Sequence, residues 1–122
     1  MRFMMMVYNS ENDWRSMSEE EQALEYQKYM DFHNEIMRRG ILQIAERVEN
    51  ISATKVMRVR GGKPLVTDGP YAETKEQMGG IYIFDVKDLD EALKIAAMIP
   101  GATRGAIEVR PIFEDPSMDE NA

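Results

Sequence analysis

Apolar and polar positions change period several times along the chain. Residues 2–8 form a short run that is continuously apolar after Arg2, which predicts a buried strand, and a polar loop follows from Asn9 to Met17. Ser18 with Glu21 three residues on is a capping-box signature. The helix it opens runs to Arg39 and stops at Gly40, where a left-handed C-cap is expected, with Arg38 and Arg39 complementing the helix dipole. Residues 41–48 alternate loosely as a second strand. Residues 54–60 and 63–67 flank Gly61-Gly62, a two-residue hairpin signal. Asp68-Gly69-Pro70-Tyr71 reads as a turn and residues 80–86 as a strand. Asp88 with Glu91 opens a second helix carrying Leu89, Ala92, Leu93, Ala96 and Ile99 on one face. Pro100-Gly101 ends it, and residues 106–112 make the last strand.

The predicted order is strand, helix, strand, hairpin insert, strand, helix, strand. Without the insert this is βαββαβ, the ferredoxin-like α+β order, with two helices on one face of an antiparallel sheet. Were the other face wet, its strands would alternate apolar with polar. Two do not. Phe3, Met5 and Val7 oppose Met4, Met6 and Tyr8, and Ile81 and Ile83 oppose Tyr82 and Phe84. Both faces should then be buried, and a second copy's sheet can cover the face that helices leave open. A homodimer joined through sheet faces, of the dimeric α/β-barrel type, is therefore expected. In the last strand Glu108 and Arg110 oppose Ile107 and Val109, so Arg110 can put a charge beside that interface.

The 122 residues suit one domain, taken as 1–113, and the acidic tail 114–122 is expected to be disordered. The net charge of −7 argues against nucleic-acid binding. No apolar run approaches membrane-spanning length, and the apolar start lacks a cleavage site, so neither a membrane nor a secretory signal is expected. Cysteine is absent and histidine occurs once, which removes disulfides, thiolate chemistry and the usual zinc sites. A cytoplasmic protein with no metal or cofactor is expected. The Gly61-Gly62-Lys63-Pro64 stretch is a turn, not a phosphate cradle. The eleven methionines read most simply as adaptable core filler.

Residues 68–80, Asp-Gly-Pro-Tyr-Ala-Glu-Thr-Lys-Glu-Gln-Met-Gly-Gly, concentrate Asp68, Glu73, Lys75 and Glu76 between two predicted strands. Together with Trp14, Met17-Ser18-Glu19-Glu20, Pro64-Leu65-Val66-Thr67-Asp68-Gly69-Pro70 and Glu108-Val109-Arg110-Pro111, this block resembles the YCII-related proteins, specifically their DGPF-domain branch, over residues 1–113. Tyr71 replaces the usual Phe. The resemblance implies a ferredoxin-like fold, dimerisation through sheets and a pocket near the interface. It also implies two further roles found among relatives: sigma-factor-associated regulation, and acid–base chemistry by a His–Asp pair. Counting back from the glycine that ends the helix sets the relatives' histidine near Tyr29 here, and a phenol with a pKa near 10 is a poor base at neutral pH.

The candidate catalytic residues are Asp68, as general base or ligand anchor, with Glu73 and Lys75 in a charge cluster able to tune a carboxylate. Against this stand an Asx-type turn cap for Asp68 and a solvated loop for the others. Tyr29 and Tyr71 are candidate ligand contacts, and Arg58 and Arg110 candidate clamps for a carboxylate. Arg58, Arg60 and Lys63 otherwise read as solvated hairpin charges. His33 shares a helical stripe with Tyr26, Met30 and Met37 and reads as a core-edge histidine. Three functions follow: a homodimer that binds a small molecule in a polar pocket, a cofactor-free acid–base enzyme of isomerase or lyase type, and a regulatory module that binds a protein partner. The acid–base reading requires Asp68 or Glu73 to titrate well above 4, the usual carboxylate range.

Overall fold

A computed structural model describes residues 1–118. Its strands are β1 (Arg2–Asn9), β2 (Leu42–Arg47), β3 (Lys55–Arg60), β4 (Lys63–Asp68), β5 (Gln77–Asp85) and β6 (Ala106–Pro111). Its helices are α1 (Glu11–Ser16), α2 (Glu19–Arg39) and α3 (Leu89–Met98). Short 3-10 turns occupy residues 51–53, 100–103 and 116–118.

The capping box that opens α2 is formed as the sequence requires. Ser18 Oγ accepts from the Glu21 N–H at 3.1 Å, and Glu21 Oε1 accepts from the Ser18 N–H at 3.3 Å. Gly40 ends the helix at φ 68°, a left-handed conformation that costs glycine no steric strain, and its N–H reaches the Ile36 and Met37 carbonyls. Asp88 caps α3 by accepting from the Glu91 N–H at 2.9 Å. The Glu91 carboxylate turns to the Lys87 N–H at 2.7 Å rather than to the cap residue itself.

Four strands form an antiparallel sheet in the order β2-β5-β1-β6, which is the ferredoxin-like arrangement. Each helix links two strands that have a third between them. The helix face of the sheet contributes Phe3, Met5, Val7, Tyr82 and Phe84. These pack with Phe32 and Ile36 of α2 and with Ala92, Ile95, Ala96 and Ile99 of α3 and its end. The register leaves two full rows on the opposite face: Glu46, Ile81, Met6 and Glu108, then Ile44, Ile83, Met4 and Arg110. No helix among the described residues covers this face, and its centre is apolar.

The chain departs from the sequence reading in three places. On α3, Leu89 and Leu93 are exposed, and Ile95 joins Ala92, Ala96 and Ile99 in the core. The loop expected over residues 9–17 contains α1, which is tied down by Glu11 Oε1 accepting from the Ile51 N–H and by Gln22 Nε2 donating to the Trp14 carbonyl. The strand expected over 80–86 starts at Gln77, because a bulge between Val7 and Tyr8 lets Met78 and Gln77 pair with Tyr8 and Asn9. The hairpin forms as expected around Gly61-Gly62, with Lys55 opposite Asp68 at its root. Among the described residues it pairs with no other strand and forms a separate two-stranded arm. From the acidic tail, Glu114 accepts from Arg2 Nε at 2.7 Å, while residues 119–122 lie outside the described residues.

Candidate functional site

The end of the sheet where β1 and β5 are bulged and β6 begins gathers several polar side chains. Tyr8 stands on the open face there, opposite Ala106 and one row beyond Glu108. The loop that leads into β5 brings Thr74, Lys75 and Glu76 alongside. Together with Ile107 these residues line an open groove of about 560 Å³. The loop is held locally by Thr74, whose hydroxyl donates to the Glu76 carbonyl and accepts from Gln77 Nε2 at 3.1 Å.

The chemistry of the groove follows from its charges. Burial, then the neighbouring Glu108 carboxylate, push the Tyr8 phenol above its usual pKa, while Arg110 acts in the opposite direction. Tyr8 therefore stays protonated at neutral pH and can donate a hydrogen bond. Lys75 and Tyr8 supply donors, Glu76 and Glu108 supply acceptors, and Ala106 and Ile107 supply an apolar wall. Such a groove can orient a small molecule that is charged at one end and apolar at the other. A second depression of about 310 Å³ is bounded only by the consecutive residues Arg47, Val48, Glu49 and Asn50, and brings no distant elements together.

The candidates named from sequence separate into different places. Lys75 lies in the groove, and Arg110 lies on the same sheet face, close enough to influence Tyr8. Glu73 is exposed on the loop. Asp68 sits at the root of the arm, with its side chain 84% exposed and hydrogen-bonded to the Lys55 ammonium. That bond holds the Asp68 carboxyl below the usual aspartate range. The raised pKa that an acid–base role requires is therefore not what Asp68 has, because its nearest charge is a cation. Arg58 places its guanidinium 5.6 Å from the centroid of the Tyr71 ring, away from the groove. The Gly69–Pro70 peptide within this turn is cis.

Tyr29 lies on the helix side of the sheet, and its hydroxyl accepts from the Gly101 N–H at 3.1 Å. Burial raises its pKa, and the Gly101 N–H offsets part of that rise. One turn along α2, His33 Nε2 is 2.8 Å from the Tyr82 hydroxyl. Burial pushes the Tyr82 phenol well up, so Tyr82 keeps its proton and pairs with the imidazole as a neutral hydrogen-bonding group. His33 is thus a hydrogen-bonded histidine at the core edge, but the stripe it was read from faces outward: Tyr26, Met30 and Met37 are exposed, and α2 buries Glu25, Phe32 and Ile36 instead.

Sequence reasoning did not find Tyr8, Glu108 or Glu25 as members of polar clusters. Glu25 is 5% exposed, with Oε2 at 3.7 Å from Arg104 Nε and 3.9 Å from Lys28 Nζ. The Lys28 spacing of three residues was a visible signal; the Arg104 contact depends on the fold. Among the described residues, no three His, Cys, Asp or Glu side chains gather as a metal site, and no helix is long and apolar enough to cross a membrane.

The Asp68 pairing has a titration consequence. A carboxyl whose folded pKa lies below its unfolded value stabilises the fold above the unfolded value, and that contribution is lost as pH falls through the folded value. The pair is exposed, so its effect on stability is small. A carbon-13 NMR titration is expected to place the Asp68 midpoint low in wild type and higher in Lys55→Met. An identical midpoint in both would rule the pairing out.

Two comparisons bear on identity. The YCII-related domain profile matches residues 1–115. An uncharacterized protein of Rhizobium meliloti (strain 1021) is 33% identical over 114 residues, covering 92% of this chain and 92% of that protein.

Proposed function

The chain belongs to the YCII-related family, and from that premise we propose that it is a cytoplasmic homodimer that binds a small organic molecule at the open sheet face. One observation carries this reading. The polar loop of residues 74–76 meets Tyr8 and Glu108 at a groove on the edge of a sheet face that no described helix covers. The apolar centre of that face supports a second copy as its cover, since exposed apolar patches of this kind mark interaction sites. Glu108 and Arg110 alternate along β6 on that face, so an antiparallel crossing of two β6 strands would set each Glu108 against the other copy's Arg110. The groove would then be closed from the far side, which favours ligand binding by excluding water.

The ligand class follows from the donors and the wall. Lys75 and Tyr8 suit a carboxylate or similar small anion, Glu76 and Glu108 suit a hydroxyl or amino group, and Ala106 and Ile107 suit an apolar body. An acid–base enzyme is the weaker reading, because Asp68 is held ionised by Lys55 and lies outside the groove.

The test is a thermal-shift screen of small organic acids against wild type, Lys75→Ala and Tyr8→Phe. A ligand present at a hundredfold excess over its Kd adds about 2.7 kcal/mol of stability. Removing one charge-assisted hydrogen bond is expected to weaken binding by about tenfold or more. A hit retained at full affinity by both variants would place the ligand elsewhere and refute the proposed site.

A further inference from the structure

Among the described strands, β3 and β4 pair only with each other. Every residue from 55 to 68 is exposed except the half-buried Val56. A two-stranded hairpin alone in water is marginally stable at best. This one is also apolar on both sides. The register puts Met57 opposite Val66 and Val59 opposite Pro64 on one face, and Val56 opposite Thr67 and Arg58 opposite Leu65 on the other. Met57 and Val66 are 57% and 58% exposed. A charged surface ribbon would not need these side chains, and a ribbon that something else covers would.

The charge of the arm identifies what covers it. Lys55, Arg58, Arg60 and Lys63 against Asp68 give residues 55–68 three net positive charges, in a chain whose total is −7. The remaining residues therefore carry ten net negative charges. The body of another copy carries charge opposite to the arm, and a reciprocal exchange sets both arms against such a surface. The arm also runs without interruption into the proposed dimer surface, because its returning strand leads through residues 69–76 into β5, whose Ile81 and Ile83 lie on the open face. Between them sits Tyr71, 81% exposed beneath the Arg58 guanidinium. Tyrosine and arginine are among the residues enriched at the centres of binding energy in interfaces.

We propose that the arm is a clasp that closes on the body of a second copy, two arms reciprocally in each dimer. The inference rests on the homodimer reading. It assigns Arg58 and Tyr71 to contacts with the other copy, and makes the arm an interface separate from the sheet face.

A photo-crosslinking residue placed at Leu65 of the full chain tests the clasp, with sedimentation equilibrium on the same protein. A covalent two-chain product is expected. The double variant Met57→Asp/Val66→Asp alters only exposed side chains, and is expected to lose that product and to weaken self-association by about tenfold or more. A chain that sediments as a dimer yet gives no two-chain product from Leu65 would overturn the clasp and leave the sheet dimer standing. A chain that is monomeric at every concentration would overturn both. Crosslinking in a cell extract to a different protein, with none to a second copy, would overturn the clasp in favour of a foreign partner. Self-association lost in the arm variant but kept in Met6→Glu would support the clasp and remove the sheet reading.

Discussion

Phe84→Ala is expected to cost about 3–5 kcal/mol of folding stability, the range for deleting a buried phenylalanine ring. Phe84 is fully buried at the centre of the helix face. Its ring stacks on Tyr82 with centroids 5.4 Å apart and meets Phe32 edge-on at 6.4 Å. Neighbours from a strand and a helix cannot both collapse into the space left, so the cavity penalty adds to the lost transfer energy. Domains of this size have about 5–15 kcal/mol in total. Urea denaturation should therefore show a much lower midpoint with an unchanged slope. A loss below about 1 kcal/mol would mean that the core does not centre on this residue.

Gly105→Ala is expected to cost about 1–3 kcal/mol or more by overpacking, and to disturb the groove as well. A Cβ at position 105 would lie 1.9 Å from the Tyr8 carbonyl oxygen and 2.8 Å from Glu76 Oε2. The first contact is with backbone and cannot be relieved by rotating a side chain. Either β1 or the start of β6 must move, and Tyr8, Glu76 and Ala106, which line the groove, move with it. The expected result is a lower melting temperature together with weaker ligand binding than Lys75→Ala alone produces. A variant of wild-type stability would show that the two segments are not in close approach.

The fold was legible because its signals are local. Ser18 with Glu21, Gly40, and Asp88 three residues before Glu91 mark helix ends through contacts within one turn. Gly61-Gly62 fixes the arm register, and counting outward from it pairs Lys55 with Asp68. That pairing was thus available from the sequence. It would have marked Asp68 as an ion-pair partner before any catalytic role was considered. The opposing apolar sets in the first strand and in residues 81–84 anticipated an open apolar face. The α1 helix was missed because Glu-Asn-Asp-Trp-Arg-Ser has no apolar stripe and is too short for one. The start of β5 was missed because Gln77 and Gly79 carry no strand preference and the segment before Gly80 pairs only across a bulge.

The site was less legible than the fold because its contacts are long-range. Tyr8 meets Glu108 and Lys75 only after β6 pairs with β1 and the loop folds back, and His33 meets Tyr82 only after α2 packs on the sheet. Neither spacing nor residue type announces such pairs. The polar block of residues 68–80 was correctly seen as dense. Its members nonetheless face different ways: Asp68 toward Lys55, Tyr71 toward Arg58, and Lys75 toward the groove.

The central claim is that a second copy covers the open sheet face, and sedimentation equilibrium of wild type beside Met6→Glu tests it most directly. Met6 lies in the row between Ile81 and Glu108, partly exposed in the single chain, so a glutamate there leaves the core intact and sets a charge in the middle of the interface. The account predicts a two-chain mass for wild type and a single-chain mass for Met6→Glu, with the same far-ultraviolet circular dichroism. A single-chain mass for wild type at all concentrations, or a two-chain mass that survives in Met6→Glu, would contradict it.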